Sequence, residues 1–242
     1  MWCKNCNIET NDPICPICGS KTVEDIPVEV YWCPECKVPV INTTTQADKG
    51  LCPLCGHKTK YLSADLRPVF PEERLLLELL LGKKPYEYMQ KSVWAANSSY
   101  YIDGKRVALP AKFFEKADTD ELSKQLEEYK GENSYEYFNV YAERFCEANR
   151  NRLNYLVDEA SEFVRNAASK FDEERLVVSF SGGKDSTVTA DLAINALGTS
   201  SIVHIFGNTT LEFPTTGEYA ERYRHNHPHA IFMVAKMRSK TL

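Results

Sequence analysis

The stretch Leu176-Val-Val-Ser-Phe-Ser-Gly-Gly-Lys-Asp-Ser186 decides the fold of the second half of this chain. Its first five residues form an apolar run typical of a short buried strand, and the two glycines that follow indicate a loop. A helix is predicted next, because Val188, Leu192 and Leu197 fall on one face of a helical repeat. This order of strand, glycine loop and helix exposes a helix N-terminus, which favours an anion.

Each kind of residue in the loop has a role in binding a phosphate group. The glycines let a phosphate approach the main chain without a Cβ in the way, and the first N–H groups of the helix lack partners. The serines supply hydroxyls, the lysine a mobile positive charge, and the aspartate a helix cap or a metal ligand. The alternative is an ordinary strand-to-helix turn with a surface lysine. The candidate nucleotide-binding residues are Ser181, Gly182, Gly183, Lys184, Asp185 and Ser186.

The loop differs from the phosphate loop of mononucleotide kinases, because no Gly-Lys-Ser/Thr follows a four-residue spacer. Its Ser-Gly-Gly-Lys-Asp-Ser sequence resembles the signature of the PP-loop family, the ATP pyrophosphatases that split ATP into AMP and pyrophosphate. A second stretch, Phe206-Gly-Asn-Thr-Thr-Leu-Glu-Phe-Pro214, resembles the corresponding region of the phosphoadenylyl-sulfate (PAPS) reductase branch. Together the two stretches make the resemblance cover roughly the last 80 residues.

The resemblance implies a cleft for an adenine nucleotide, either ATP or PAPS, with Mg²⁺ offsetting the phosphate charge. It implies that Lys184 and Asp185 are the catalytic residues, and that Asn208 and Thr209 lie near the adenosine. The chain departs from the family pattern at two positions. Asn208 stands where the family usually has Asp, and Thr215 stands where Glu usually follows Phe-Pro.

The chain order predicts an α/β fold with a partial doubly wound parallel sheet, of the adenine nucleotide alpha hydrolase type that the resemblance implies. Strands at residues 176–180, 202–206 and 230–235 alternate with helices, the second of them around residues 217–224. Right-handed crossovers then bring the ligand to the carboxyl ends of the strands. Because PP-loop domains normally have further strands, the resemblance implies a truncated product with half a cleft, or one that a second copy in a homo-oligomer completes.

Eight of the nine cysteines form four Cys-x-x-Cys pairs within the first 55 residues. Two residues between thiols let a turn present both to one ion, and two such pairs complete a closed tetrahedral site. We therefore predict two zinc ribbons with structural Zn²⁺, whose binding is part of their folding free energy. Redox-active cysteine pairs are the alternative, but no adjoining βαβ unit is visible. The predicted ligands are Cys3, Cys6, Cys15 and Cys18, and then Cys33, Cys36, Cys52 and Cys55.

The surroundings of the ribbons leave their partners open. His57 follows the last cysteine pair, and we interpret it as a surface residue. Lys58 and Lys60 lie nearby, so the ribbons are candidates for binding a nucleic acid or a protein, or for packing against the next segment. A net charge of −5 argues against general coating of nucleic acid.

The segment between the ribbons and the phosphate loop is predicted to be α+β. A helix at residues 72–81 precedes a β-hairpin over 93–107, whose Asp103-Gly104 pair suits a type I′ turn. Helices follow at 118–129 and 135–170, the latter breaking near 149–154 and packing its second half against the parallel sheet. Three aromatic residues of the hairpin are either core residues or a stacking platform for a base: Trp94, Tyr100 and Tyr101.

The remaining predictions concern domains and lone residues. The domains are residues 1–60 with the two ribbons, 61–134 with the linker helix and hairpin, and 135–242 with the incomplete PP-loop domain. Cys146 is interpreted as a buried thiol rather than a nucleophile. His225, His227 and His229 are interpreted as loop residues rather than metal ligands. No apolar run reaches the roughly 20 residues of a bilayer span and no signal peptide is visible, which predicts a cytoplasmic protein without a membrane partner.

Three functions remain open. The first is ATP binding with adenylation of an acceptor and pyrophosphate release, in sulfur activation or transfer; the intact lysine favours it, because reductases of the family tend to lose this residue. The second is PAPS reduction by a cysteine thiolate, for which the chain has no matching cysteine motif. The third is a non-catalytic zinc-ribbon binding module.

Overall fold

The computed structural model describes residues 1–3, 5–6, 8–23, 28–43, 50–97, 99–109, 118–198, 202–208 and 211–236. These residues form two compact units, Met1–Arg152 and Leu153–Leu242. The first contains the cysteine pairs and a small mixed segment, and the second contains the parallel sheet. The fold class is therefore the predicted one, a parallel α/β sheet preceded by two four-cysteine modules.

The first cysteine module is held by short antiparallel contacts. Strand β1 (Trp2–Cys3) pairs with β2 (Ile8–Glu9), and Trp2 also bridges to Val23. Cys3 and Cys15 are buried, whereas Ile14 and Ile17 are exposed. So small a module buries few apolar side chains, and the cysteines themselves supply much of its interior.

The second cysteine module is a three-stranded antiparallel sheet. Its strands are β3 (Val28–Cys33), β4 (Val38–Thr43) and β5 (Lys60–Ser63), in the order β4-β3-β5. Valines of β4 are buried with the cysteines of the module against Ala148 and Tyr141. The second module therefore packs on residues that follow the predicted linker segment 61–134, and this contact leaves the prediction about partners of the ribbons untested.

A four-stranded antiparallel sheet follows in the first unit. It consists of β6 (Arg67–Pro68), β7 (Val93–Ala96), β8 (Ser99–Ile102) and β9 (Lys105–Ala108), paired in chain order. The predicted hairpin is thus the β8–β9 part of a larger sheet, and the extra strand arises because β7 and β8 are joined by a turn near Asn97. Helix α1 (Pro71–Leu80) lies between β6 and β7.

The aromatic residues of this sheet are core residues. Trp94 and Tyr101 are buried, and they pack with Trp32 of β3 and Ala96. The hydroxyl of half-buried Tyr100 donates to the Glu73 carboxylate. Side chains buried in this way cannot offer their faces to a base, so the stacking-platform alternative is wrong for Trp94 and Tyr101.

The predicted turn at Asp103-Gly104 has both residues at positive φ, 47° and 76°, as a type I′ turn requires. A Cβ on Gly104 would lie 2.4 Å from the Trp32 indole. We expect Gly104→Ala to lower the free energy of unfolding of the first unit by about 2–4 kcal/mol, from backbone strain and overpacking. Chemical denaturation monitored by tryptophan fluorescence measures it.

Gly131→Ala is the control for this change, because a Cβ there meets no atom within 4 Å. It should leave the free energy of unfolding within about 0.5 kcal/mol of the parent value. Equal midpoints for Gly104→Ala and Gly131→Ala would contradict the packing of this turn on Trp32.

Three more α-helices lie between residues 119 and 168, within the described range 118–198. They are α2 (Thr119–Tyr129), α3 (Glu136–Ala148) and α4 (Arg150–Ala168). Asp118 caps α2 by accepting from the N–H groups of Asp120 and Glu121. The predicted break in the long helical pattern falls at Asn149, whose side chain bonds the backbone of Pro39 and Ile41 in β4.

The thiol of Cys146 is exposed on α3, so its predicted burial is wrong. The helical pattern locates Phe145 on an apolar face, and that ring packs on Trp94 at 4.8 Å. The adjacent position, about 100° further around the helix, falls outside the apolar stripe.

The second unit has the predicted order of alternating strands and helices. After α4 come β10 (Val177–Phe180), α5 (Lys184–Leu197), β11 (Val203–Asn208), α6 (Pro214–Asn226) and β12 (Ile231–Lys236). The strands are parallel and adjacent in chain order. The core forms where one face of the sheet meets α5 and α6, and its buried residues are Val178, Phe180, Ala190, Ala193, Ile202, Phe206, Ala220 and Tyr223.

The prediction that the second half of the long helix packs into the sheet is wrong. Within α4 only Ser161 is buried, and Phe163 is 74% exposed. Leu153, Leu156 and Val157 instead line a cavity together with residues of α5 and α6. Alanines of these two helices cover one face of the sheet. Side chains of its opposite face, among them Val177, Ile231 and Met233, are exposed, so α4 does not cover that face either.

None of the helices in the described part of the chain combines the length and the apolar character needed to cross a bilayer.

Candidate nucleotide and metal sites

The loop between β10 and α5 leaves a helix N-terminus open to solvent. Gly183 is the N-cap of α5 and has extended backbone, with φ −82° and ψ 165°, and makes no side-chain cap bond. The first N–H groups of α5 therefore have no acceptor within the helix. Ser181, Lys184 and Asp185 are exposed beside them. The arrangement joins free N–H donors, the positive end of the helix dipole and a lysine, which suits an anion.

Two serine hydroxyls hold the loop in shape. The Ser186 hydroxyl accepts from the Ser181 N–H at 3.2 Å and donates to the Gly183 carbonyl at 3.0 Å. The two hydroxyl oxygens of Ser181 and Ser186 lie 3.0 Å apart. These bonds join the two ends of the loop, so the backbone donors are already arranged before any ligand binds.

Helix α6 packs against the loop through residues that the sequence motif does not reveal. Gly182 has φ +76°, and a Cβ there would lie 3.1 Å from Cγ2 of Thr216. Thr187 donates to the Gly183 carbonyl at 2.9 Å and accepts from the Tyr219 hydroxyl at 3.1 Å. Thr187 directly follows the motif, but the position of Tyr219 depends on how α6 packs.

We expect Gly182→Ala to destabilise the loop, because positive φ and a Cβ close to Thr216 oppose it together. The free energy of unfolding of the second unit should fall by about 1–3 kcal/mol. Thermal unfolding followed by circular dichroism measures this change.

The matched control is Gly217→Ala within α6, where a Cβ meets no atom within 4 Å. Alanine in a helix interior should raise stability by about 0.5–1 kcal/mol, the opposite sign. If both variants changed the free energy of unfolding with the same sign and size, the positive φ of Gly182 would not be required for stability.

The eight predicted zinc ligands lie in two groups of four. In each group the Sγ atoms lie within 4.8 Å of one another: Cys3, Cys6, Cys15 and Cys18 in one, and Cys33, Cys36, Cys52 and Cys55 in the other. Separations of 3.5 Å for Cys3–Cys18 and Cys33–Cys55 are far longer than the disulfide bond of about 2.0 Å. A tetrahedron with Zn–S bonds of about 2.3 Å requires sulfur separations near 3.8 Å, so the groups fit Zn²⁺.

Within each group, burial and neighbouring sulfurs raise the pKa of some thiols, which opposes the formation of four thiolates when no cation is bound. A hydrogen bond with Cys18 and the neighbouring sulfurs raise the pKa of Cys6 to about 12. Burial raises the pKa of Cys33 to about 11. Four thiolates so close to one another repel, and a dication that replaces their protons removes this repulsion.

Hydrogen bonds near the second cysteine pair of each module favour thiolates. The Ser20 hydroxyl lowers the pKa of Cys18 to about 6, and the His57 backbone N–H lowers that of Cys55 to about 6. Such donors orient metal-bound sulfur. His57 itself is exposed and lies outside the four-cysteine group, as the surface interpretation predicts.

The two modules repeat one local structure that the spacing of cysteines alone does not reveal. Residues 14–22 read ICPICGSKT and residues 51–59 read LCPLCGHKT. The Cys15 N–H bonds the Ser20 carbonyl, and the Cys52 N–H bonds that of His57. Aligning the two segments would have predicted this shared turn.

Comparison with known proteins finds a family likeness in the second unit. Residues 175–241 match the model of the phosphoadenosine phosphosulfate reductase domain. For this similarity we call residues 175–241 the PAPS reductase-family segment. Over 55 residues the chain is 46% identical to the NH(3)-dependent NAD(+) synthetase of Chlorobium phaeovibrioides. The match covers 22% of this chain and 20% of the synthetase, so the chain spans about a fifth of the length of this curated relative. No solved structure matches the chain.

Within the PAPS reductase-family segment, the second motif begins at the carboxyl edge of the sheet. Phe180 lies opposite Phe206 in the parallel register, so Asn208 and the phosphate loop extend from the same edge. Thr209 lies outside the described residues. Further along the motif, Leu211 and Phe213 are 90% and 80% exposed.

Three of the four histidines in the PAPS reductase-family segment come shortly before β12. The interpretation of His225 as a loop residue is wrong, because it lies in the last turn of α6, which extends beyond the predicted helix to Asn226. The His227 ring stacks on Tyr223 at 4.1 Å, and its Nδ1 lies 2.9 Å from the Tyr223 carbonyl. His229 is exposed before β12.

Proposed function

We propose that the PAPS reductase-family segment binds ATP at residues 181–186 and adenylates an acceptor with release of pyrophosphate, as a step in sulfur activation or transfer. The observation that carries the proposal is the position of Lys184 in the first turn of α5, exposed beside the unpaired N–H groups. A fixed array of N–H donors and a mobile ammonium suit the triphosphate, whose charge changes during the reaction.

In the proposed reaction a nucleophilic atom of the acceptor forms a bond to the α-phosphorus of ATP. The bond from that phosphorus to the bridging oxygen breaks, and pyrophosphate leaves with the electron pair. Lys184 and the loop N–H groups stabilise the charge on the leaving pyrophosphate, while the loop holds the reactants in line. Catalysis of this kind needs positioning and electrostatics but no covalent intermediate with the protein.

Asp185 would hold Mg²⁺, since carboxylate oxygens suit this ion and the side chain is exposed beside the loop. The ion would supply charge neutralisation for the phosphates. Asn208 and Thr209 are proposed to bind the adenosine, because Asn208 ends β11 at the edge from which the loop extends. The two cysteine groups would hold structural Zn²⁺, and we propose a cytoplasmic location, in which thiols stay reduced.

Equilibrium binding of Mg-ATP and of PAPS to the zinc-loaded chain tests the proposal by calorimetry. We expect ATP to bind the more tightly, and pyrophosphate release to depend on a nucleophilic acceptor such as ammonia or sulfide. The named relative is a synthetase, which joins two substrates, and this supports adenylation over reduction. Absence of ATP binding would overturn the proposal.

PAPS reduction is the second candidate function, and the family description favours it. In that reaction a thiolate forms a bond to the sulfonyl sulfur, and adenosine 3′,5′-bisphosphate leaves with the electron pair of the broken S–O bond. Tighter binding of PAPS than of ATP, together with thiol-dependent release of sulfite, would establish reduction and exclude the first proposal.

The cysteine modules are the basis of a separate proposal about partners. Exposed lysines accompany the second module at Lys58 and Lys60, and we propose a nucleic acid as its partner, with a protein as the alternative. Gel-shift assays of the full chain with and without a zinc chelator test this. A nucleic-acid complex that the chelator abolishes would support the proposal, and absence of any complex would contradict it. Light scattering of the same sample tests the proposed homo-oligomer.

A further inference from the structure

The hydroxyl of Tyr219 begins a chain of hydrogen bonds that ends at the phosphate loop. It donates to the Thr187 hydroxyl oxygen at 3.1 Å, and Thr187 donates its own hydroxyl proton to the Gly183 carbonyl at 2.9 Å. A threonine hydroxyl has a single proton, so with that proton on Gly183 it can only accept from Tyr219. The chain therefore has one direction, from α6 to the loop.

The Gly183 carbonyl belongs to the peptide group that carries the Lys184 N–H. It also accepts from the Thr187 N–H at 3.1 Å and from the Ser186 hydroxyl at 3.0 Å. In a planar trans peptide group the carbonyl and the N–H point in opposite directions. The donors on the carbonyl therefore direct the Lys184 N–H, one of the groups without an acceptor within α5, out of the start of that helix.

Contacts of its ring fix the position of Tyr219. The ring is nearly parallel to that of Phe180, the last residue of β10, with the planes 12° apart and the centres separated by 6.3 Å. The Arg222 guanidinium lies over the same ring, 5.2 Å from its centre. Because these contacts involve the ring and not the hydroxyl, Tyr219→Phe removes only the donor to Thr187.

We propose that Tyr219 is a positioning residue for the phosphate site, acting through Thr187 and the Gly183 carbonyl on the Lys184 N–H. The inference rests on the proposed binding of ATP at this loop. Hydrogen bonds in a chain polarise one another by roughly 10–30% per bond, so the donors on the Gly183 carbonyl make the Lys184 N–H a better donor to a phosphate oxygen. They also orient it before the anion arrives, which lowers the cost of binding.

Tyr219→Phe tests this role by calorimetric titration of the full zinc-loaded chain with Mg-ATP and, separately, with pyrophosphate. The Kd for both ligands should rise about 2- to 10-fold, as the loss of one neutral hydrogen bond predicts. Tyr223→Phe is the matched control, because Tyr223 lies one turn further along α6 and its hydroxyl has no hydrogen-bond partner among the described residues. This variant should bind both ligands as the parent does.

The amide NMR spectrum of the isotope-labelled chain, recorded without ligand, separates positioning from a contribution to stability alone. In Tyr219→Phe we expect the Lys184 amide resonance to shift, because its nitrogen shares a peptide group with the carbonyl that becomes less polarised. A hydroxyl with a merely structural role would lower the thermal midpoint and leave this resonance and the affinities unchanged.

Thr187→Val removes the middle of the chain and should weaken binding of both ligands by a similar factor. Adding Tyr219→Phe to it should weaken binding no further, because both changes break the same chain. Thr187→Ser keeps a hydroxyl and should recover affinity that Thr187→Val loses. If Tyr219→Phe does not fold, the comparison of Thr187→Val with Thr187→Ser tests the same connection.

Equal affinities of the parent and Tyr219→Phe for both ligands would overturn the inference and leave the proposal of ATP binding standing. Additive losses in the double variant would overturn it as well. If the parent binds pyrophosphate but not ATP, and Tyr219→Phe weakens that binding, the inference is supported and the proposed function is refuted. A parent chain that binds neither ligand would overturn both.

Discussion

Replacement of Lys184 by Ala is expected to weaken Mg-ATP binding about 10- to 100-fold, as loss of a charge-assisted hydrogen bond predicts. The side chain is exposed in the first turn of α5 and contributes nothing to the core, so the fold should be unaffected. If Lys184 also stabilises the departing pyrophosphate, kcat should fall by about 10²- to 10³-fold, beyond the effect on binding. Calorimetry and a coupled pyrophosphate assay measure the two quantities.

Lys170→Ala is the matched control for Lys184→Ala. This lysine is also exposed, but it follows α4 and is not part of the phosphate loop. It should bind Mg-ATP as the parent does. Similar weakening by both variants would indicate general electrostatic attraction, whereas unchanged binding by Lys184→Ala would refute its assignment to the phosphates. Lys184→Arg keeps the positive charge but replaces the compact ammonium with a planar guanidinium. Comparing it with Lys184→Ala therefore separates the contribution of charge from that of the ammonium geometry.

Removal of zinc is expected to unfold both cysteine modules, because a structural zinc site contributes about 10–16 kcal/mol to the folding of such small modules. The parent chain should contain two equivalents of zinc by elemental analysis. Cys52→Ala removes a buried member of the second group and should leave one equivalent. Since Trp32 directly precedes Cys33 and packs on Trp94, the near-ultraviolet dichroism of the tryptophans should also change.

Cys146→Ala is the control for Cys52→Ala. Its thiol is exposed and lies outside both four-cysteine groups. This variant should retain two equivalents of zinc and the dichroism of the parent. Retention of two equivalents by Cys52→Ala would exclude a four-cysteine site, and zinc loss from Cys146→Ala would place a ligand outside the predicted set.

Local signals predicted most of the elements of this chain. The strand, two glycines and helix of residues 176–198 lie where the pattern indicates, because a buried strand and the N-terminus of a helix have distinct neighbours in sequence. The four cysteine pairs likewise predicted the two sulfur groups, because ligand spacing is a local property. The Asp103-Gly104 turn follows from the preference of both residues for positive φ.

Predictions that depended on packing partners were less successful. The apolar pattern of α4 indicates which face avoids water, but it cannot say that this face lines a cavity instead of covering the sheet. For Cys146, proximity to Phe145 in sequence was taken for proximity to the core, and the helix rotates the thiol to the outside. Neither outcome could be read from the spacing of the apolar residues.

By itself, the sequence determined the element order of the PAPS reductase-family segment, the glycine loop at residues 181–186 and the eight clustered thiols. Only the tertiary structure decided that Trp32 joins the core of the neighbouring sheet, and that Thr216 and Tyr219 contact the loop and the helix that follows it. The same holds for the buried Tyr223 hydroxyl, which has no hydrogen-bond partner among the described residues. The physical reason is the separation along the chain of the residues that interact. Turns, caps and ligand pairs are set by residues a few positions apart, whereas these contacts join residues far apart in the chain through packing between elements.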